Sequence, residues 1–370
     1  MVGIVMADVM GDAYVAHLVL KQHEAYPGQV QSIVYMCRFL SEMVGYWCGA
    51  LLSNQSNWGV GLSMRELFFF LALLPIFTVV PCIVKLREDT YASHDVPPLR
   101  SQLDSLWLML QRRATWQSVC FLAFFNALLL RNSAWGNYLT VAYHFNAFEY
   151  GSMSAIGSSV TFLAIYLYRH YIMLAFENPW HQVYIITGCV VAAFSLLNVL
   201  LVFKGNEVLG IPAFWFAVGD SAVISFAKGF QYLPLAIIFV AVCPPNQEGV
   251  AFALLTSVTN LAHAFAYTIS NMMLRIWPVE LTDLKQGHFN GVWKLTLLTS
   301  LVALFPLLFI GKLLPRGKGE LEAMKAELSV YGARFVALLY VVGFIWVMLL
   351  SLLAIVRPCH VLVGGHGCAD

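Results

Sequence analysis

Two aspartates, Asp8 and Asp12, lie four residues apart in an otherwise apolar run at the start of the 370-residue chain. At that spacing both carboxylates fall on one face of a helix. Two carboxylates this close should not both ionise in a low-dielectric surrounding, so we expect one of them to hold a proton. Such a group can take up a proton on one side of a membrane and release it on the other. A helix-bundle ion pair without that role is the alternative.

A second pair of opposite charges, Arg38 and Glu42, follows in the next apolar run within the stretch CRFLSE. The two side chains are also four residues apart and can pair with each other. Arg38 could instead reach Asp8 or Asp12 on the preceding helix. Its planar guanidinium also suits the carboxylate of a ligand, which it can bind through two parallel hydrogen bonds. Both interpretations stay open.

Further charges lie in the long apolar stretch 206–260, where Asp220 and Lys228 are eight residues apart, about two turns along one helix face. Gly219, Gly229 and Pro234 predict that this helix is interrupted. Broken helices that line a cavity are a usual way to expose polar backbone deep in a membrane.

Two more polar residues of this region have a structural explanation beside a functional one. Glu248 follows the turn CPPNQEG and begins the next apolar run, where a carboxylate also favours a helix N-terminus. His263 stands alone on an apolar helix and is expected to be a core histidine.

The composition shows what must position these residues. Hydrophobic residues make up 60% of the chain and charged residues 11%, whereas soluble domains have roughly 25% charged residues. The chain is therefore predicted to be an all-α polytopic membrane protein in contact with the lipid bilayer. The net charge of +1 argues against nucleic acid as a partner.

Motifs for other chemistry are lacking in the sequence. It has no nucleotide-binding loop and no G-x-S-x-G elbow, so we expect no catalytic residue, no cofactor and no ATP-driven pump. The tail PCHVLVGGHGCAD carries Cys359, His360, His366 and Cys368, but their spacing matches no compact metal site, and we expect a mobile tail without metal. The other cysteines are expected to be small buried hydrophobes rather than a disulfide framework. Clustered ligands for a membrane-embedded enzyme are also lacking.

Ten apolar runs are long enough to be candidate spanning helices. They lie at about 1–20, 28–52, 63–84, 115–131, 149–168, 183–203, 214–242, 248–274, 291–313 and 334–356. A polar stretch, 85–114, separates the third run from the fourth. After Pro97 and Pro98, its leucines repeat at helical spacing from Leu99 to Leu110, which indicates an amphipathic helix at the membrane interface.

Loop charges predict the orientation of these helices. With the loop after the first run in the cytoplasm, twelve Lys and Arg residues fall on the cytoplasmic side and seven on the other. The only sequon, at Asn54, then lies on the outer side and is a candidate glycosylation site. This placement favours the plasma membrane over an organelle membrane.

The run count also predicts the domain organisation. Three helices precede the linker, while six follow it, with one further helix after those. Many transporters consist of two six-helix halves, so the simplest account is a twelve-helix plan without its first three helices; a ten-helix protein of another architecture is the alternative. The predicted parts are the end of an N-terminal bundle at 1–84, a cytoplasmic linker at 85–114, a six-helix bundle at 115–313, a cytoplasmic segment at 314–333, an extra transmembrane helix at 334–356 and a tail at 357–370.

Three stretches resemble the folate–biopterin transporter family of the major facilitator superfamily. They are ADVMGDAYV at 7–15, GQVQSIVYMCRFL at 28–40, and the late segment that begins with LGIPAFWFAVGD and ends with YLPLAIIFVAVCPPNQEGVAFALLTSVTN. The resemblance covers most of the chain up to about residue 315. The late segment is the most specific of the three. His17 lies near the position where a glutamate is common in the family's first signature. The local charge in this chain therefore differs from the charge in the family pattern.

The resemblance implies a major-facilitator-type helix bundle and uptake of pterins, folates or related metabolites by alternating access, with protons as the coupling ion. The polar residues that match the family's pattern are Asp8, Asp12, Arg38, Asp220 and Glu248. Lys228 comes from the helix-face argument alone. Arg38 and Lys228 would suit the glutamate tail of folate, and a carboxylate would suit the aminopyrimidine edge of folate or biopterin. The alternative is a truncated or degenerate carrier without transport activity of its own.

Overall fold

The computed structural model describes residues 10–11, 14–15, 29–52, 61–85, 98–172, 179–244 and 248–365, and of residues 29, 31, 82, 248 and 249 it describes the backbone only. Asp8, Asp12 and Asn54 therefore lie outside the described residues. In the described part the chain is helical, and its only β-type pairing is an isolated bridge between Arg112 and Leu328.

Twelve helices of eight or more residues follow one another in this part of the chain. They are α1 (Gln29–Leu52), α2 (Met64–Lys85), α3 (Leu99–Gln111), α4 (Arg113–Ala127), α5 (Trp135–Tyr143), α6 (Ala147–Leu167), α7 (Trp180–Val202), α8 (Ala213–Val242), α9 (Glu248–Met273), α10 (Asn290–Val302), α11 (Lys318–Lys325) and α12 (Val330–Val356). Short turns at Tyr168–Ile172 and Phe305–Leu313 extend α6 and α10.

Seven of the described helices are long and apolar enough to cross a membrane. They are Met64–Lys85, Ala147–Ile172, Trp180–Val202, Ala213–Val242, Val250–Met273, Asn290–Leu313 and Val330–Val356. Each coincides with a predicted run. The predicted runs at 28–52 and 115–131 are also helical, as α1 and α4, but are not among the seven. The first predicted run lies mostly outside the described residues.

The bundle is built from two groups of helices. In the first, α6 packs against both α1 and α8, and α7 packs against α8 and α10. In the second, α9 packs against α4 and α12. A large apolar core that includes Phe121, Phe239 and Leu255 joins α4, the second half of α8 and α9. The helices are thus held by close side-chain packing of apolar faces.

Local sequence explains where α6 begins. Asn146 precedes the helix, and its side chain accepts a hydrogen bond from the Glu149 backbone N–H, while the Glu149 carboxylate accepts one from the Asn146 N–H. This reciprocal capping box satisfies two backbone donors that a helix start leaves without partners. The left-handed conformation of His144, with φ of 56°, ends α5 just before it.

The predicted interfacial helix is α3, and it is joined to the start of α12. Ser329 donates its backbone N–H to Gln111 at 2.7 Å, and Arg113 donates its own to the Glu327 carbonyl at 2.8 Å. The Arg113 guanidinium also pairs with the Glu327 carboxylate at 2.7 Å. The start of α12 thereby fixes the end of α3 to the bundle.

Two predictions, an interrupted helix at 214–242 and a mobile tail, are wrong. α8 runs unbroken from Ala213 to Val242 through Gly219, Gly229 and Pro234, because transmembrane helices tolerate Gly and Pro where neighbouring helices enclose them. The tail is not a free segment as far as Gly365. Its Val361–Val363 turn packs against α9 and α12, and Cys359 is disulfide-bonded.

Candidate functional site

Asp220 lies inside the helix bundle at the contact between α8 and α7. Asp220 is 9% exposed, and Asn198 on α7 is 7% exposed. The Asn198 Nδ2 donates a hydrogen bond to Asp220 Oδ2 at 2.8 Å. The predicted site residue therefore has a specific polar partner on the neighbouring helix.

This pair leaves two buried oxygen atoms unsatisfied. Within the described residues, neither Asp220 Oδ1 nor Asn198 Oδ1 has a hydrogen-bond partner. A buried acceptor without a donor costs about 1–3 kcal/mol, and an ionisable group inside a membrane costs more unless it is paired or hydrated. The site is therefore short of hydrogen-bond donors in the form that the structure shows.

Lys228 lies two turns further along α8 and interacts electrostatically with Asp220, as its spacing predicted. It also interacts with Arg131, which follows α4. His263 on α9 interacts with both Arg131 and Lys228. Three nitrogen-bearing side chains from three different parts of the chain thus share one region of the bundle.

The backbone around Arg131 is held in place on both sides. The Arg131 N–H donates to the Ser270 hydroxyl of α9 at 3.0 Å. The side chain of Asn132 donates to the Thr296 hydroxyl of α10 at 2.8 Å. The segment between α4 and α5 is therefore bonded to α9 and α10, and the Arg131 position is fixed by the bundle.

The positive charges of Lys228 and Arg131 repel each other unless an anion lies close to both. Asp220 supplies one negative charge for Lys228. Arg131 and His263 are exposed on the surface of the described chain, and their side chains can turn toward a solute beside the bundle. The arrangement can therefore bind an anionic group, while the Asp220–Asn198 pair can bind a hydrogen-bond donor or a proton.

Of the remaining predicted site residues, Arg38 is the one whose side chain the structure describes. Arg38 is exposed on α1, which packs mainly against α6. Glu248 begins α9, as predicted, but its side chain lies outside what the structure describes. Asp8 and Asp12 are outside the described residues, so the structure does not place them relative to Asp220.

Sequence reasoning missed or misjudged three residues of this region. Asn198 is neutral and 22 residues from Asp220, so no charge pattern pointed to it. Arg131 was counted only among the loop charges and not as a candidate site residue. His263 was expected to be buried in the core but is exposed. For Asn198 the available signal was a lone amide in an apolar helix, which is costly unless it is bonded.

A separate cavity of about 310 Å³ lies beside the end of α9, between the loop at 274–282 and the tail. Asn137, Arg275 and Glu280 are among the residues that line it, and Gly364 closes one side. It contains none of the predicted site residues. In the described part of the chain, no group of three or more His, Cys, Asp or Glu side chains could hold a metal ion.

The model of the BT1 family matches residues 1–328. The chain belongs to the BT1 family. With seven helices in its described residues that are long and apolar enough to span a membrane, this BT1 protein is an integral multi-pass membrane protein. Helix α12 begins at Val330, beyond the matched residues.

Several curated relatives carry transporter names. The folate-biopterin transporter of Synechocystis is 24% identical over 320 residues, which cover 86% of this chain and 62% of that protein. The probable folate-biopterin transporter 2 of Arabidopsis thaliana is 29% identical over 167 residues, 45% of this chain and 32% of the relative. Folate transporter 1 of Plasmodium falciparum is 22% identical over 256 residues, 67% of this chain and 47% of the relative.

The BT1 chain thus spans less than two thirds of the length of these relatives. No solved structure matches it.

Proposed function

We propose that this chain acts in the secondary active transport of folate- or pterin-type metabolites, by alternating access coupled to protons. The names of its BT1 relatives support the substrate class. The observation that carries the mechanism is the buried Asp220 carboxyl group, which keeps one oxygen without a partner inside a spanning helix.

In this proposal Asp220 binds the coupling proton. Protonation removes a buried negative charge and supplies a donor where the structure has two acceptors without one. Lys228 opposes protonation, because its positive charge stabilises the carboxylate. A substrate anion that draws Lys228 away would favour protonation, so substrate and proton would bind together, as symport requires.

Lys228, Arg131 and His263 recognise the anionic part of the substrate. Folate carries two carboxylates on a glutamate tail, and these match a site with an arginine, a lysine and a histidine. Biopterin lacks this tail and would depend less on these residues. Asp8, Asp12, Arg38 and Glu248 are further proposed contacts for substrate or protons.

The proposed setting is a plasma membrane, with Asn54 on the outer side as a glycosylation site. Residues 1–84 and 115–313 would be parts of the two halves that move relative to each other, and 85–114 would be the cytoplasmic linker. The linker's helix α3 supports this division, because it is a distinct element between α2 and α4.

Uptake by the full chain in proteoliposomes tests the proposal. Labelled folate and biopterin would be supplied outside the vesicles. Uptake would be measured once with the outer solution acidic and once with the inner solution acidic. We expect accumulation that follows the direction of the pH gradient and is lost in Asp220→Asn, which cannot take up the proton. Asp104→Asn on α3 removes an exposed carboxylate elsewhere and serves as the matched control.

Inserted, monodisperse protein that transports neither compound would contradict the proposal and favour a carrier without activity of its own. Accumulation by Asp220→Asn equal to that of the unaltered protein would remove Asp220 from the coupling step.

A further inference from the structure

The contact between Asn198 and Asp220 has the form of an incomplete ring of hydrogen bonds. Nδ2 and Oδ1 of Asn198 share one carbon atom, as do Oδ1 and Oδ2 of Asp220. Because Nδ2 already donates to Oδ2 at 2.8 Å, a planar amide–carboxyl pair places the two remaining oxygen atoms side by side. These are the two buried oxygens without partners.

We propose that Asn198 and Asp220 together form the proton-binding site, with the proton bound to Asp220 Oδ1 and donated in a hydrogen bond to Asn198 Oδ1. This inference rests on the proposed function, since it specifies how Asp220 holds the coupling proton. The proton comes from water, one O–H bond forms, and the charge of the carboxyl group changes from −1 to zero. Asn198 is a positioning residue in this step.

The chemistry of the amide explains why asparagine suits this position. It offers a donor and an acceptor on one rigid plane. The donor serves the ionised carboxylate through one charge-assisted hydrogen bond. Donor and acceptor together serve the protonated acid through two neutral ones. Asn198 therefore bonds the carboxyl group in both states without a change of rotamer, through one oxygen when the acid is ionised and through both when it is protonated. An apolar side chain would offer no hydrogen bond in either state.

The surroundings leave this pairing undisturbed. Lys228 is the charged side chain that interacts with Asp220, and it favours the ionised state. Glu149 on α6 is occupied by the Asn146 backbone. The other acidic and basic residues on helices that pack against α8 are Arg169 and His170 at the end of α6, His181 on α7, Arg38 and Glu42 on α1, Arg113 on α4, and Glu248 and His263 on α9. Among the described residues, Asn198 and Lys228 are the side chains that interact with the Asp220 carboxyl group.

Infrared difference spectroscopy tests the proposal on the purified full chain in lipid. Acidification should produce a protonated-carboxyl stretching band that is absent in Asp220→Asn. In Asn198→Leu this band should move to higher wavenumber, because the acid loses both hydrogen bonds. Asn126→Leu is the matched control, since Asn126 is a half-buried amide that bonds only to its own helix. It should leave the band in place.

A second infrared measurement uses the unaltered protein, so that its result does not depend on the folding of a variant. With asparagine labelled by carbon-13 at the side-chain carbonyl, one labelled band should change in step with the aspartate band. An unchanged aspartate band in Asn198→Leu, or no labelled asparagine band that follows acidification, would overturn the inference.

Transport measurements distinguish failure of this inference from failure of the proposed function. If Asp220→Asn abolishes coupled uptake while Asn198→Leu leaves the aspartate band unmoved, the inference alone fails. If Asp220→Asn retains the pH dependence of the unaltered protein, the coupling role of Asp220 fails and the inference fails with it.

Discussion

Gly229 on α8 lies against Ala164 on α6 with no room for a side chain between the two helices. A Cβ atom at Gly229 would lie 2.6 Å from Ala164 Cβ and 3.0 Å from the Thr161 carbonyl oxygen. Ala227, on the other side of Lys228 in the sequence, is also buried. The position of Lys228 in the bundle is therefore set by a close approach of two helix backbones.

Gly229→Ala should destabilise the protein by about 1–3 kcal/mol, because the added methyl group must push α6 and α8 apart. Gly219→Ala in the same helix is the matched control. A Cβ there meets nothing within 4 Å, so this change should be neutral or stabilise by about 0.4–1 kcal/mol. Thermal unfolding in one detergent measures both. Equal unfolding temperatures for the two variants would contradict the close contact.

Lys228→Gln should weaken folate uptake more than biopterin uptake, because it removes a cation that faces the carboxylates of folate only. A hydrogen bond to a charged group contributes about 1.5–3 kcal/mol, so KM for folate should rise roughly tenfold or more. Lys228→Arg should retain most of the affinity. As a control, Lys204→Gln removes an exposed cation that pairs with Glu207. Parallel losses for folate and biopterin would argue against recognition of the glutamate tail.

Gly332→Ala should loosen the attachment of α12 to α4. A Cβ at Gly332 would lie 2.6 Å from atoms of the Trp116 ring, and this half-buried indole is packed against the apolar core. We expect a lower unfolding temperature and faster proteolysis near residue 328. Gly319→Ala on α11 adds its methyl group to open space and should change neither. Unaltered proteolysis in Gly332→Ala would show that α12 is not held there.

Asn146→Ala should cost about 1 kcal/mol of stability, because the first turn of α6 loses the acceptor for the Glu149 N–H. Asn146→Asp should keep most of that stability, since aspartate is an equally good helix cap. The comparison of unfolding midpoints is the measurement. A loss in both variants would mean that the Asn146 amide nitrogen matters rather than its oxygen.

Much of the fold follows from the length of the apolar runs. The predicted run 214–242 became α8 at Ala213–Val242, because about 20 apolar residues bury best as a single helix in a membrane. The leucine spacing after Pro98 likewise predicted α3. Helix α5 was missed because the nine residues Trp135–Tyr143 are too few to form a span and carry no separate periodicity.

Less of the candidate site than of the fold could be predicted from the sequence. The Asp220–Lys228 interaction followed from helix periodicity, since both residues belong to one element. The Asn198 contact depends on how α7 packs against α8, which neither helix encodes alone. The predicted break at Gly229 failed for the same reason, because the glycine serves a close contact with α6 rather than flexibility of α8.

The backbone hydrogen bonds from Ser329 to Gln111 and from Arg113 to Glu327 tie the amphipathic α3 to the bundle that carries Asp220. If α3 lies in the membrane interface, as its leucine spacing predicts, it cannot shift along the membrane surface on its own. Any tilt of this bundle would then also move Arg100 and Leu103 of α3 through the lipid headgroups. The viscosity and charge of that lipid layer would then enter the rate of the conformational change, and anionic lipids would slow a tilt that withdraws Arg100 from them.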